Sequence, residues 1–173
     1  MKEELKDSGK EFAIAIIGGI ILTILINKFL IFSIYVPSGS MLPTIEVGDR
    51  MVVRRIYNYE NIKRGDILVF NFKEDVEDTL FIKRVMGLPN DKIKFENDKL
   101  YINNEEIKED YVKYPEEFYG EYTVPEGEYF FLGDNRANSK DSRVWENPYI
   151  KQSEIKGKAF FRFYPFDRIK ILK

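Results

Sequence analysis

The chain begins with mixed charge, turns abruptly apolar, and then settles into short apolar and polar alternations that continue to its end. Met1 to Glu11 is polar, with Lys2, Lys6 and Lys10 among four acids. Phe12 to Ile26 is apolar except for Gly18, Gly19 and Thr23, then Asn27 and Lys28 intervene, and Phe29 to Val36 is largely apolar again. The first run alone is shorter than the ~20 residues needed to cross ~30 Å of hydrocarbon. Lys28 can snorkel to the headgroups, so a helix from about Glu11 to about Leu30 is long enough to span. A cleaved signal peptide would need a positive leading segment and a small-x-small site. Here the leader has no net positive charge, and Phe29, Leu30, Ile31 and Phe32 follow the run. A buried core helix would show a polar face, and this run has none. The pattern predicts a cytoplasmic tail over 1–11, a retained transmembrane anchor over 12–34 and an extracytoplasmic domain over 35–173, with the three tail lysines favouring an inside N-terminus.

After Ser33 the period changes. Apolar and β-branched stretches recur at Arg50–Arg55, Ile67–Phe72, Leu80–Met86, Lys92–Phe95, Lys99–Ile102, Tyr129–Leu132 and Ala159–Tyr164. Turn formers separate them: Gly48-Asp49, Arg64-Gly65-Asp66, Pro89-Asn90-Asp91, Asn97-Asp98, Asn103-Asn104, Pro125-Glu126-Gly127 and Gly133-Asp134-Asn135. Short strands at this spacing predict a mainly β domain built of antiparallel sheet, as a sandwich or barrel. Asn97-Asp98 and Asn103-Asn104 fit tight turns of a meander. Tyr111 to Tyr122 is aromatic and acidic without clear period and reads as a loop.

Composition removes function classes rather than adding them. The 173 residues carry a net charge of −2 and are enough for one sizeable core. The charges alternate without a basic stripe, so nucleic acid is not an expected partner. The chain has no His and no Cys. Ser-His-Asp and Cys-His catalysis, Cys/His zinc sites and disulfides are therefore excluded. A hydrolase of this composition must activate a hydroxyl with another group.

Three segments could carry such chemistry. In Val36-Pro37-Ser38-Gly39-Ser40-Met41-Leu42-Pro43-Thr44-Ile45, two prolines and a glycine stiffen the backbone around two hydroxyls, which suits a nucleophile and an oxyanion donor. By composition alone it reads first as a linker. In Phe81-Ile82-Lys83-Arg84-Val85-Met86, the adjacent cations point to opposite faces of a strand. If Phe81 and Val85 face the core, Lys83 does too, and a buried Lys is a competent base once neutral. A solvent-facing edge Lys is the equal alternative. Leu132 to Arg143 is dense in hydrogen-bonding groups and by itself reads as a solvated turn. Its resemblance to a calcium loop fails on Arg136, Lys140, Arg143 and the missing terminal Glu.

Taken in order, these segments resemble the conserved boxes of bacterial type I signal peptidases. Ser38-Gly39-Ser40-Met41-Leu42-Pro43-Thr44 is similar to the serine box and Gly48-Asp49-Arg50 to the short box after it. Phe81 to Val85 with Gly87 is similar to the lysine box, and Gly133-Asp134-Asn135-Arg136 through Ser139 to Asp141-Ser142-Arg143 to the last box. The set spans the chain behind an N-terminal anchor, and Ala137 departs from the Asp common there.

The resemblance implies a signal-peptidase-like fold and a membrane-bound serine endopeptidase that cleaves signal peptides after small-x-small sites. It implies Ser40 as nucleophile, Lys83 as general base, and the Ser38 hydroxyl with the Ser40 N–H as oxyanion hole. Ser139 would orient the Lys amine. Asp134 with Arg84, and Asp141 with Arg143, would form supporting ion pairs. Val36, Met41, Ile45 and Ile82 would line small substrate pockets. No metal or organic cofactor is implied. The implied partners are signal peptides of secreted preproteins, the lipid bilayer and the secretion translocon. A soluble self-cleaving Ser/Lys repressor is the nearer rival and is disfavoured by the apolar run. A non-enzymatic anchored β module is the further one.

Overall fold

In the computed structural model, which describes residues 2–74 and 77–172, the N-terminal run forms one helix, α1 (Lys2–Phe29). Its Lys10–Phe29 portion is long and apolar enough to cross a membrane, 20 residues or about 30 Å. Phe12, Ile14, Ile17, Ile20, Leu22 and Ile24 are all exposed, so apolar side chains surround the helix. Two polar side chains within the apolar stretch turn back to the helix: Thr23 Oγ1 donates to Gly19 O at 2.8 Å and Asn27 Nδ2 to Thr23 O at 2.9 Å. The helix ends at Phe29, close to the expected end at about Leu30. Ile31–Tyr35 forms strand β1, where β-branched and aromatic residues favour extended backbone. The chain divides into two compact units, Met1–Phe32 and Ser33–Lys173.

The second unit is built of antiparallel strands. β2 (Arg50–Arg55), β3 (Ile67–Glu74), β4 (Glu77–Gly87), β9 (Glu128–Leu132), β10 (Tyr149–Lys151) and β11 (Ile155–Tyr164) join β1 in a sheet ordered β1-β2-β11-β3-β4-β9-β10, with β12 (Lys170–Ile171) also on β11. β5 (Lys92–Glu96), β6 (Lys99–Ile102), β7 (Glu105–Glu106) and β8 (Gly120–Thr123) form a second sheet ordered β7-β6-β5-β8. Asn97 begins the β5–β6 turn, and Asn103 and Asn104 make the β6–β7 turn. All three hold positive φ (60°, 53° and 70°), a region Asn tolerates.

Two apolar cores lie on opposite faces of β4 and β9. Val85 and Phe131 pack with Leu68, Phe70 and Trp145, whereas Met86, Phe130 and Leu132 pack with Ile93, Phe95 and Leu100. Strands covered on both faces have no reason to alternate, which explains the continuous apolar runs in the sequence. β8 occupies the end of the segment expected to be a loop. Its Tyr122 and the preceding Phe118 pack edge-on against Phe95, which accounts for the aromatic density there.

Candidate active site

The serine segment is a compact turn held from three sides. Leu42 N donates to Gly39 O at 3.2 Å and Ile45 N to Met41 O at 3.0 Å, which closes the turn on itself. Met41 and Ile45 are fully buried and fix it to the core below. From across the chain, Asn135 Nδ2 donates to Gly39 O and Asn135 N to Ser40 O, both at 3.0 Å. Ser40 is thus fixed through its own carbonyl and its neighbour's. Its side chain lies in a nearly closed setting, with the residue 7% exposed.

β4 brings Lys83 to this turn. Lys83 pairs across the sheet with the buried Leu68, and the directly opposed residues share one face. Lys83 is 4% exposed, and its Nζ donates to Ser40 Oγ at 2.6 Å. Burial brings the amine down to about 8, and Asp141 and Asp134 pull weakly the other way. The alternative of a solvent-facing edge Lys is therefore not what the chain adopts. Ser38 Oγ lies 3.5 Å from Ser40 Oγ.

The loop after β9 wraps the pair in ion pairs. Arg84 points away from Lys83 and meets Asp134 through two bonds, 2.8 Å from Nε and 2.6 Å from Nη2, while Nη1 donates to Gly65 O at 2.7 Å. Arg143 clasps Asp141 at 2.8 and 3.0 Å, and Asp141 Oδ2 also accepts from Gly133 N at 2.9 Å. Each buried carboxylate is thus satisfied by charge-assisted bonds, as a buried charge requires. Sequence reasoning missed a third such pair, Arg136 with Glu109 at 2.8 and 2.6 Å. Glu109 adjoins the stretch read as a loop, and nothing local in the sequence couples it to Arg136.

The remaining expected residues fall differently. Ser139 Oγ is buried with no hydrogen-bond partner, so the bond expected between Ser139 and the Lys83 amine is not made in this structure. Val36, Met41 and Ile45 are at most 1% exposed and belong to the closed core under the turn. Ile82, also expected to line a substrate pocket, borders a cavity. It is a mostly apolar groove of about 280 Å³ shared with Ile34, Tyr35, Pro37, Leu80 and Phe81.

A hydroxyl within reach of a buried amine of lowered basicity is equipped for acyl transfer without His. Comparison with known proteins identifies the family. A family model described as signal peptidase, peptidase S26, matches residues 9–164. Signal peptidase I P of Bacillus subtilis subsp. natto is 39% identical, over 97% of this chain and 95% of that protein. A probable signal peptidase I-2 of a Synechocystis species is 35% identical over 94% of this chain and 76% of its own length. Signal peptidase IB of Staphylococcus aureus strain Mu50 is 32% identical over 98% and 95%. A crystal structure of a signal peptidase I from Enterococcus faecalis V583 is 33% identical, covers 57% of this chain and 96% of that one, and superposes with a TM-score of 0.49. A family match over nearly the whole length, with relatives covered almost end to end, means that this chain belongs to the signal peptidase family, peptidase S26, and is a serine peptidase.

Proposed function

We propose that this chain is a membrane-bound endopeptidase that removes signal peptides from exported preproteins after small-x-small sites, with Ser40 as nucleophile and Lys83 as general base. The 2.6 Å approach of Lys83 Nζ to Ser40 Oγ inside a nearly closed site carries this reading. Neutral Lys83 takes the Ser40 proton as Oγ attacks the scissile carbonyl. The carbonyl oxygen gains charge and is met by the Ser40 N–H and the Ser38 hydroxyl. The ammonium of Lys83 returns the proton to the departing amine, leaving an ester on Ser40. Water, deprotonated by the same amine, then hydrolyses that ester. Ser139, buried beside this turn and without a partner, is the hydroxyl left to orient the neutral amine. The groove bounded by Pro37 and Ile82 has the apolar lining that a small substrate side chain requires.

Ser40→Ala is expected to reduce cleavage of a fluorogenic Ala-x-Ala peptide and of a preprotein to background, with the melting temperature nearly unchanged. Retained turnover would remove Ser40 from the role. Ser38→Ala is expected to lower kcat by roughly 10²-fold with KM nearly constant, the usual cost of one oxyanion donor. A change confined to KM would make Ser38 a substrate-binding residue instead.

The membrane part of the proposal rests on α1, apolar on every side over a span-length stretch. The tail lysines favour a cytoplasmic N-terminus, which places the β domain, and its encounter with the translocon, on the outer face. The anchor confines enzyme and signal peptide to one bilayer and so raises their effective concentration. Alkaline carbonate should leave the full chain in the membrane pellet. Protease added outside should reach the β domain and spare the tail. Release by carbonate would contradict the anchor, and digestion of the tail alone would reverse the orientation.

A further inference from the structure

A second cavity, of about 620 Å³, lies within the β domain on the far side of β4 from Lys83. Arg84, Arg162, Lys113 and Lys170 border it, together with Thr44 and Ile171, and no carboxylate of the described residues does. Two of the four cations are neutralised from behind: Arg84 by Asp134, and Arg162 by Asp49 at 2.9 Å. Among the described residues, Lys113 and Lys170 have no ion pair or side-chain hydrogen bond. They come from separate parts of the chain, Lys113 from the segment before β8 and Lys170 from β12.

Their placement is unfavourable without a ligand. Lys170 stands directly opposite Arg162 in the β11–β12 pair. Like charges so placed destabilise a sheet. Each guanidinium carries five N–H donors and spends three, Arg84 on Asp134 and Gly65 O, Arg162 on Asp49, Thr44 O and Arg168 O, so two remain on each. A wall of converging donors with two uncompensated charges is complementary to an anion with several acceptor oxygens. Beside it the exposed Ile169 and Ile171, and Phe166 further along the same hairpin, form an apolar border that a soluble anion alone would not need.

We propose that this cavity binds a phosphate group, either free phosphate or the phosphodiester of an anionic phospholipid headgroup, with Lys113 and Lys170 as its principal contacts. Thr44 follows the nucleophile turn and Arg84 adjoins Lys83, so occupancy braces the two segments that carry the reactive pair.

The test uses the full chain in non-ionic detergent and in vesicles. Thermal melts at constant ionic strength should show a saturable rise with inorganic phosphate against chloride, with half-saturation at least tenfold higher in Lys113→Gln/Lys170→Gln. A Lys63→Gln/Lys151→Gln control, altered elsewhere on the surface, should match the parent. In parallel, native mass spectrometry should detect phosphatidylglycerol, but not phosphatidylcholine, retained by the parent and at least tenfold less by the double variant. Retention of phosphatidylglycerol identifies the lipid as the source, and a response to phosphate alone identifies the free ion. Either supports the site if the Lys113/Lys170 variant loses it. No response to either probe, or equal responses in the two double variants, overturns the proposal. Near-UV circular dichroism establishes that the compared variants are folded.

Discussion

Lys83→Met should be inactive at every pH and yet more resistant to heat than the parent near neutrality. The two effects share one cause. A free Lys titrates at about 10.4 and would be almost wholly charged at pH 7. Burial between strands brings the Lys83 amine down to about 8, despite the opposing pull of Asp141 and Asp134. A drop of a little over two units corresponds to about 3 kcal/mol of lost stability while the native amine is protonated. Because the unfolded chain holds its proton more tightly, this loss is full below pH 8. It fades between about 8 and 10.4, and is gone above the unfolded value. Methionine fills a similar volume without charge. It forfeits the hydrogen bond to Ser40, worth about 1 kcal/mol, so a net gain of about 2 kcal/mol is expected at pH 7. For a domain of this size that raises Tm by roughly 4–8 °C. The gain should shrink as melts are repeated towards pH 10.

The same titration fixes the pH profile of the parent. The rate on a short peptide should rise through an apparent pKa of about 8, since only the neutral amine can accept the Ser40 proton. Lys83→Arg should be inactive throughout, because a guanidinium does not deprotonate in this range. A profile flat from pH 6 to 10, or turnover in Lys83→Arg, would take the role of base from Lys83. A Met variant less stable than the parent at pH 7 would instead mean that the buried amine contributes more through its contacts than it loses by desolvation.

The sequence made some of this site legible because the relevant physics is local. The lack of His restricts the choice of base, but the apolar setting of Lys83 on a strand left a buried and a solvent-facing side chain equally open, and the fold decides for the buried one at 4% exposure. The seven expected strands are all present because each carries its own β-rich run between turn formers. What stayed hidden depends on distant partners. β7, β10 and β12 are only two or three residues long and exist because neighbouring strands pair with them. The bond from Asn135 Nδ2 to Gly39 O joins residues 96 apart, and no pattern near either announces it. The depth of Val36, Met41 and Ile45, each at most 1% exposed, is set by the packing of the whole domain around them.

Gly133→Ala should lower kcat by roughly 10²-fold although it adds one methyl group and touches neither reactive atom. A Cβ at Gly133 would lie 2.1 Å from Ser139 Oγ, 2.5 Å from Ser139 Cβ and 2.5 Å from the Ser40 carbonyl oxygen. The backbone of Gly133 cannot retreat, since its N–H donates to Asp141 at 2.9 Å and its carbonyl accepts from Arg136 Nε at 3.0 Å. The yielding partner must then be the serine turn, which Asn135 holds by the same carbonyl the methyl would strike. Overpacking of this kind costs about 1–3 kcal/mol in stability. The larger loss is catalytic, because displacing a reacting group by about 1 Å can cost 10²-fold. Ser139→Gly in the same chain removes two of the three collisions and leaves the one with Ser40 O. The double variant should therefore regain most of the lost Tm and little of the lost kcat. Thermal melts and kcat measured on the parent, both single variants and the double variant separate these terms. If kcat returned together with Tm, the damage would lie at Ser139, and the position of Ser40 would not depend on Gly133.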